Sequence, residues 1–132
     1  MFYSYNITVT HATTETTSIQ TEMKLSEGVI HQIDIIFPYN LDKDLYVRLL
    51  KQNVSLMPTN RRGAIRGHNT VISTREHIDL SAEDNILLCS AWNVNTTDDY
   101  LLTVNIGILP SRILQPFSFK ELLAAALGLE EP

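Results

Sequence analysis

Three arginines lie close together in one glycine-containing segment of this sequence. The segment NRRGAIRGHN contains Arg61, Arg62 and Arg66. Guanidinium groups bind carboxylates and phosphates through paired, planar hydrogen bonds, so this segment could contact nucleic-acid phosphates or an acidic neighbour. It has no interleaved aromatic residues for base stacking and no GK[ST] sequence of a phosphate-binding loop. Two interpretations remain: a solvated loop between strands, or an electrostatic contact loop between subunits.

The remaining polar residues do not form a recognisable catalytic or metal-binding pattern. His77 and Asp79 fall on one face of a predicted strand, whereas His31 and Asp34 fall on opposite faces, and neither spacing is typical of zinc sites. Cys89 lies within the apolar run LLCSAWN and is interpreted as a small buried hydrophobic residue rather than a nucleophile. We therefore expect no catalytic residue, no cofactor and no metal.

Trp92 is the sole tryptophan and the strongest candidate for a ligand-stacking side chain. It shares a strand face with Ile86 and Leu88, which favours a core position over a stacking platform. Sugar-binding modules usually present several exposed aromatic residues. A carbohydrate- or ligand-binding module is therefore retained as the alternative function.

The composition is that of one globular domain with a tail. The chain has 132 residues, a net charge of -5 and one cysteine. The negative charge argues against nucleic acid as the main partner, and a single cysteine excludes an internal disulfide framework. The N-terminal residues MFYSYNITVT lack a signal-peptide pattern, and no stretch approaches the roughly 20 apolar residues of a membrane span. We expect synthesis in the cytoplasm and no membrane partner.

The elements that must position these residues are short β-strands. Apolar and polar residues alternate in about eight runs separated by hairpin-length loops, which predicts an antiparallel β-sandwich over residues 1–110. The run TVISTREHI sorts its faces less cleanly and is interpreted as an edge strand. Alternation does not distinguish jelly-roll from immunoglobulin-like connectivity, so both remain open. The predicted inward faces include Tyr3, Tyr5, Ile7 and Val9 in the first strand, and Val29, Ile33, Ile35 and Phe37 in the third.

Residues 111–132 differ from everything before them. After a tether between two prolines, Ser118 and Glu121 form a capping-box pattern, and Gly128 is a typical helix C-cap. The predicted helix of about nine residues is too short to be stable alone in water, so its apolar face must dock on its own sandwich or on a neighbouring subunit. The second arrangement makes it a docking tail. The partner-docking residues are then Phe117, Phe119, Leu122, Leu123, Leu127 and Leu129.

Three segments within residues 28–110 carry a resemblance to known proteins. GVIHQIDIIFP, IRGHNTVI and LLCSAWNVNTTDDYLLTVNIGILP together resemble the small, jelly-roll-like β-sandwich structural proteins of phage and virus particles. The resemblance implies a capsid, vertex, decoration or adaptor protein whose terminal segments reach into neighbouring subunits. It also implies a virion location after synthesis in the host cytoplasm, with a cytoplasmic location as the alternative. No catalytic residues come with it.

Three classes of function can be weighed on these observations. A non-enzymatic assembly protein accounts for the capped tail and for the lack of a catalytic pattern. Its partners would be copies of itself, other particle proteins, or both. A binding module would need an exposed aromatic platform or a Ca²⁺ site, and an enzyme is the least favoured class. Nucleic acid and small-molecule ligands are not expected as partners.

Overall fold

The computed structural model describes residues 1–39, 43–60 and 63–110 of the chain. Within these ranges the regular elements are β-strands, apart from a single 3-10 turn at Glu15–Thr17. The predicted tether and helix lie outside the described residues. The strands are β1 (Phe2–Val9), β2 (Ile19–Lys24), β3 (Gly28–Phe37), β4 (Leu45–Lys51), β5 (Val54–Met57), β6 (Ile65–Arg66), β7 (Thr70–Leu80), β8 (Ile86–Asn93) and β9 (Tyr100–Leu109).

The strands form two antiparallel sheets, which confirms the predicted sandwich. Sheet A has the order β1-β9-β3-β7, and sheet B has the order β2-β8-β4-β5, with β6 also paired to β4. The pairings are nested, because β1 pairs with β9, β2 with β8, β3 with β7 and β4 with β5. An immunoglobulin-like sandwich keeps its first two strands in one sheet, whereas here they lie in different sheets. The connectivity is therefore that of a jelly roll.

The alternation seen in the sequence has a direct counterpart in the core. Inward side chains of both sheets form one hydrophobic cluster, while their neighbours along each strand face outward. Pro38 and Pro110 follow the last residues of β3 and β9, as predicted from their missing N–H groups. The edge position predicted for β7 is also confirmed. Representative buried residues are Val9, Met23, Ile33, Leu49, Leu87 and Val104.

The first part of β3 departs from the predicted pattern. Between Ile30 and Gln32 the register with both neighbouring strands shifts by one residue, which is a β-bulge. As a result Ile30, not Val29, belongs to the hydrophobic cluster between the sheets. Val29 is buried, with 1% exposure, but it lies on the opposite face from Ile33. The prediction that the two residues share a face is wrong, because one extra residue exchanges the two faces of the strand. The signal in the sequence is that two adjacent polar residues, His31 and Gln32, interrupt the alternation between Ile30 and Ile33.

Strand β6 was not predicted. It contains two residues, Ile65 and Arg66, which is too short a segment to show any alternation. Its pairing with Tyr46 and Val47 places it beside β5 along the same edge of β4. Part of the predicted arginine-rich loop is therefore held against sheet B.

A buried asparagine closes one end of the sandwich. Asn93 is fully buried, and its Nδ2 donates to the carbonyl oxygens of Val9 (3.2 Å) and Asp98 (2.7 Å). Its Oδ1 accepts from the Asn95 N–H at 3.0 Å. Its backbone N–H donates to Thr13 Oγ1 at 2.7 Å, and the Thr13 N–H donates to the Asn93 carbonyl at 2.8 Å. This one residue joins the end of β1 to the loops that follow β1 and β8.

We expect Asn93→Ala to lower the free energy of unfolding by about 2–4 kcal/mol, because it leaves buried donors and acceptors without partners. Urea denaturation followed by far-UV circular dichroism measures this loss. Asn6→Ala is the control, since Asn6 is exposed and its Oδ1 accepts one hydrogen bond, from Thr103. A loss for Asn93→Ala no larger than the control's would show that the network does not hold this end together.

Candidate interaction surfaces

The structure describes one member of the predicted contact residues, Arg66. Arg66 is exposed, its Nε donates to the Lys43 carbonyl at 3.0 Å, and its guanidinium carbon lies 4.6 Å from the centre of the Tyr46 ring. The rest of the prediction falls outside the described residues and stays a prediction. These residues are Arg61, Arg62, Phe117, Phe119, Leu122, Leu123, Leu127 and Leu129.

Arginine and aromatic side chains form a continuous stack on the outer face of sheet B. Tyr46 and Trp92 are opposite each other on β4 and β8, and their rings are parallel with centres 5.3 Å apart. The guanidinium group of Arg48 lies 5.4 Å from the centre of the Trp92 ring. Arg48 is itself held by Glu15 (3.2 Å) and by the Gly63 carbonyl (2.8 Å). Such cation–aromatic contacts contribute about 0.5–2 kcal/mol each, so the stack stabilises this face.

The stack changes the interpretation of Trp92. Its side chain is buried, with 6% exposure, yet it lies outside the cluster between the sheets. The neighbouring residues Ala91 and Asn93 face inward, which directs Trp92 to the outer face. The predicted burial is confirmed, and the predicted core position is wrong. Because Tyr46 and Arg48 occupy its surroundings, Trp92 does not offer a free ring to a ligand.

On the outer face of sheet A, the charged groups lie mainly on the edge strand β7, which carries Arg75 and Asp79. Strands β1 and β9 contain no charged residue, and the single carboxylate of β3 is Asp34. Gln32 Nε2 donates to both carboxylate oxygens of Asp34 at 3.2 Å, and Ser73 Oγ donates to one of them. These bonds satisfy the carboxylate within the sheet. Depletion of charge is the composition that distinguishes the centre of protein interfaces from ordinary surface.

An unsatisfied acceptor lies at the centre of this outer face. Asn105 pairs with Ser4 on one side and Asp34 on the other, and its Oδ1 is buried without a hydrogen-bond partner among the described residues. A buried acceptor without a donor costs about 1–3 kcal/mol. Among the described residues, the buried side-chain polar atom without a hydrogen-bond partner therefore lies on this face.

The bulge in β3 also moves a histidine onto this face. A Cβ built on Gly107 would lie 2.7 Å from His31 Nε2, so the imidazole covers the position that a larger residue would occupy. Gly107 lies between two inward isoleucines and faces outward, as Asp34 does between Ile33 and Ile35. The prediction that His31 and Asp34 lie on opposite faces is wrong, because the extra residue reverses the alternation between them.

No catalytic constellation emerges from the other polar groups. His77 and Asp79 share a face as predicted, with Nε2 and Oδ1 3.7 Å apart and both side chains exposed. A cleft of about 290 Å³ on sheet B is lined partly by Glu22, Glu83 and Asp84, and Lys51 pairs with Asp84 at 2.8 Å. Across residues 1–39, 43–60 and 63–110, no group of three or more His, Cys, Asp or Glu side chains could hold a metal ion.

Besides Tyr5, whose pKa is raised by burial, two titratable groups of the described residues have clearly displaced pKa values. Cys89 is fully buried, which confirms its predicted core position, and burial raises the pKa of its thiol to about 12. Asp99 is exposed, and hydrogen bonds from the His11 side chain (2.6 Å) and the His11 backbone N–H (2.8 Å) lower the pKa of its carboxyl. Neither displacement creates a nucleophile or a general base near neutral pH.

We expect Tyr46→Ala to uncover Trp92 and to shift its fluorescence emission to longer wavelength, with greater quenching by acrylamide. The reason is that Tyr46 covers one face of the Trp92 ring. Tyr39→Ala is the matched control, because the exposed Tyr39 ring contacts His68 instead. Identical spectra for the two variants would contradict the role assigned to the stack.

We expect the carboxyl of Asp99 to titrate below its usual pKa of about 3.9 in a carbon-detected NMR titration. A lowered folded-state pKa stabilises the fold above the unfolded value, and this contribution is lost as the pH falls through the folded value. The Tm difference between the natural protein and Asp99→Asn should therefore shrink on acidification. It should be small throughout, because the Asp99 side chain is 49% exposed to screening solvent. A Tm difference that stays constant from pH 6 to 2 would contradict this assignment, and Asp98→Asn is the control.

Comparisons with known proteins give no relative from which a function could be transferred. Neither a scan of protein-family models nor a search of curated proteins produced a match. Among the described residues, no helix has the length and apolar character needed to cross a membrane. Function is therefore inferred from the surfaces of this chain.

Proposed function

We propose that the protein is a non-enzymatic structural protein of a virus or phage particle. In this proposal the jelly-roll domain is a building block of a capsid, vertex, decoration or adaptor assembly. Its C-terminal segment docks on neighbouring subunits, and its partners are further copies of itself or other particle proteins. Nucleic acid and small-molecule ligands have no part in the proposed function.

The observation that carries the proposal is the composition of the outer face of sheet A. Three of its four strands contribute a single carboxylate, Asp34, and no lysine or arginine. Exposed sheet faces in monomeric proteins ordinarily carry interspersed charges that keep them soluble. The part of the face formed by these three strands, with its single carboxylate, fits contact with another protein better than permanent contact with water.

The amphipathic pattern of the tail supports the same proposal independently. Phe119, Leu122 and Leu123 fall on one side of the predicted helix, and such a face is stable only when it is buried. Burial of apolar side chains contributes about 1.5–3 kcal/mol each before the cost of ordering the segment is subtracted. A tail of this kind is suited to join subunits of a particle.

The alternative function, a carbohydrate- or ligand-binding module, has less support. Its strongest candidate residue was Trp92, and that ring is covered by Tyr46 and Arg48 at the outer face of sheet B. The jelly-roll connectivity by itself does not decide between the two functions, since the same fold occurs in both capsid and lectin domains.

We expect the full chain to associate into larger species as its concentration rises, and a chain ending at Gln115 to stay folded but to lose this tail-dependent association. Multi-angle light scattering over a concentration series measures the mass of both. In the full chain, Leu122→Asp combined with Leu123→Asp should reproduce the truncation, because charge on the predicted apolar face opposes its burial. Lys120→Ser, on a polar position, is the control. If both chains are monomers and the truncated one has a lower Tm, the tail covers its own domain and the assembly proposal fails.

A further inference from the structure

Each sheet of a sandwich ends in two edge strands, which natural proteins protect against pairing with other chains by short length, charge, proline or bulges. Strand β7 has the register shift opposite His31 and carries Arg75 and Asp79. Strand β2 has six residues that include Glu22 and Lys24, and β5 has four residues followed by Pro58. Each of these three edges thus has a recognised protective device.

Strand β1 has none of these devices. It has eight residues, no charged residue, no proline, and a continuous register with β9. On its other side it is paired with no strand of the described chain. Its residue Phe2 is 66% exposed. An aromatic side chain at an edge favours pairing with a further strand. This edge is the one built to accept another strand.

The backbone groups that face the free edge of β1 can be identified from its pairing with β9. Met1 and Ile108 exchange two hydrogen bonds, of 2.7 Å and 2.5 Å, so they form a hydrogen-bonded pair. In an antiparallel ladder such pairs alternate along the strand, so odd-numbered residues bond to β9. The N–H and C=O groups of the even-numbered residues therefore point away from β9. These residues are Phe2, Ser4, Asn6 and Thr8.

We propose that β1 pairs antiparallel with β1 of a second copy of this chain, about a twofold axis that passes through Tyr5. In this register Phe2 faces Thr8 of the second copy, and Ser4 faces Asn6. The numbers of facing residues add up to ten, so each even-numbered residue faces another even-numbered residue. Every N–H and C=O group of these four residues that points to the free edge then has a partner. A shift of two residues in either direction leaves groups at the ends unpaired.

The side chains also fit a second copy better than an unrelated strand. In the proposed register aromatic residues face β-branched ones, since Phe2 lies opposite Thr8 and Tyr3 opposite Ile7, and Ser4 lies opposite the polar Asn6. Aromatic and β-branched side chains form favourable cross-strand pairs, and no like charges meet, because the strand has no charged residue. A twofold contact of this type closes after two copies and joins the two four-stranded sheets A into one continuous sheet.

This inference deepens the proposed assembly function, because it names one subunit contact and its partner. Unlike the tail contact, it uses only residues of the domain. An experiment can therefore disprove either contact without disproving the other. It also places the weakly charged outer faces of both copies side by side on one surface.

The register is tested by disulfide formation in the full chain carrying Tyr5→Cys. Directly opposed residues of a non-hydrogen-bonded pair have Cα atoms about 4.5 Å apart, within disulfide range, so mild oxidation should give a covalent dimer. Tyr3→Cys is the control: its two copies would lie four residues apart along the strands, about 14 Å, and should not cross-link. The buried thiol of Cys89 does not compete.

The backbone pairing is tested by Asn6→Pro in the full chain. Proline removes an N–H that points to the free edge and leaves the bonds to β9 intact, so we expect the dimer dissociation constant to rise at least about tenfold. Asn6→Ala is the matched control, because it also loses the side-chain bond with Thr103 but keeps the N–H. Analytical ultracentrifugation measures the constants, and circular dichroism checks that each variant is folded.

The outcomes separate this contact from the tail contact. Cross-linking at Tyr5→Cys but not at Tyr3→Cys supports the β1 pair, even where Asn6→Pro fails to fold. Equal cross-linking of both, or of neither, overturns it. If neither cross-links while the full chain still associates and the chain ending at Gln115 does not, the β1 pair is wrong and the assembly function stands. A full chain that is monomeric at millimolar concentration overturns both proposals.

Discussion

The packing of two sheets against each other is the interaction on which the described structure depends. The chain has no disulfide, and its single cysteine is one of the side chains buried between the sheets. Stability must therefore come from apolar surface removed from water, at roughly 25 cal/mol for each Å². Each strand contributes by burying every second side chain, which leaves the alternate side chains on two outer faces. What those outer faces can do is the functional question.

The jelly-roll connectivity decides which strands end up exposed. The chain forms a long antiparallel hairpin that is rolled into two layers, so β9 lies between β1 and β3. Within the described residues, β1 therefore pairs on one side alone. The first strand of the domain is thus an edge strand as a consequence of topology. Asn93 holds the end of this strand in place through Val9, so the edge is presented on a rigid frame.

The two outer faces have different characters. Sheet B carries arginines that are engaged by aromatic rings and by Glu15, and these contacts bury the tryptophan instead of presenting it. On sheet A, strands β1, β9 and β3 carry one carboxylate, Asp34, which is satisfied internally, and the charged residues of β7 lie at the edge opposite to β1. A fold does not specify a function, but under the proposed function the two faces have different roles: the contacts on sheet B stabilise the domain, and the β1 side of sheet A is the proposed assembly surface.

Much of the fold follows from local patterns in the sequence. Period-two alternation located the strands from β1 to β9 apart from β6, prolines located the ends of β3 and β9, and the apolar surroundings of Cys89 predicted its burial. These features depend on residues that are neighbours along the chain, which is why they could be predicted from the sequence. The arginine loop and the tail were also singled out by local patterns, although of their residues only Arg66 lies in the described ranges.

Other features were decided by the tertiary structure. The jelly-roll order, the pairing of Tyr46 with Trp92 and the bonds of Asn93 to Val9 join residues that are far apart along the chain. The bulge at His31 exchanged the faces of β3, and the sequence shows it only as two adjacent polar residues, His31 and Gln32. Alternation indicates which side chains lie on the same face of a strand, but not which strand lies beside it. Neighbours in a sheet are chosen by packing across the whole domain, and so only the folded chain shows which edge is left open.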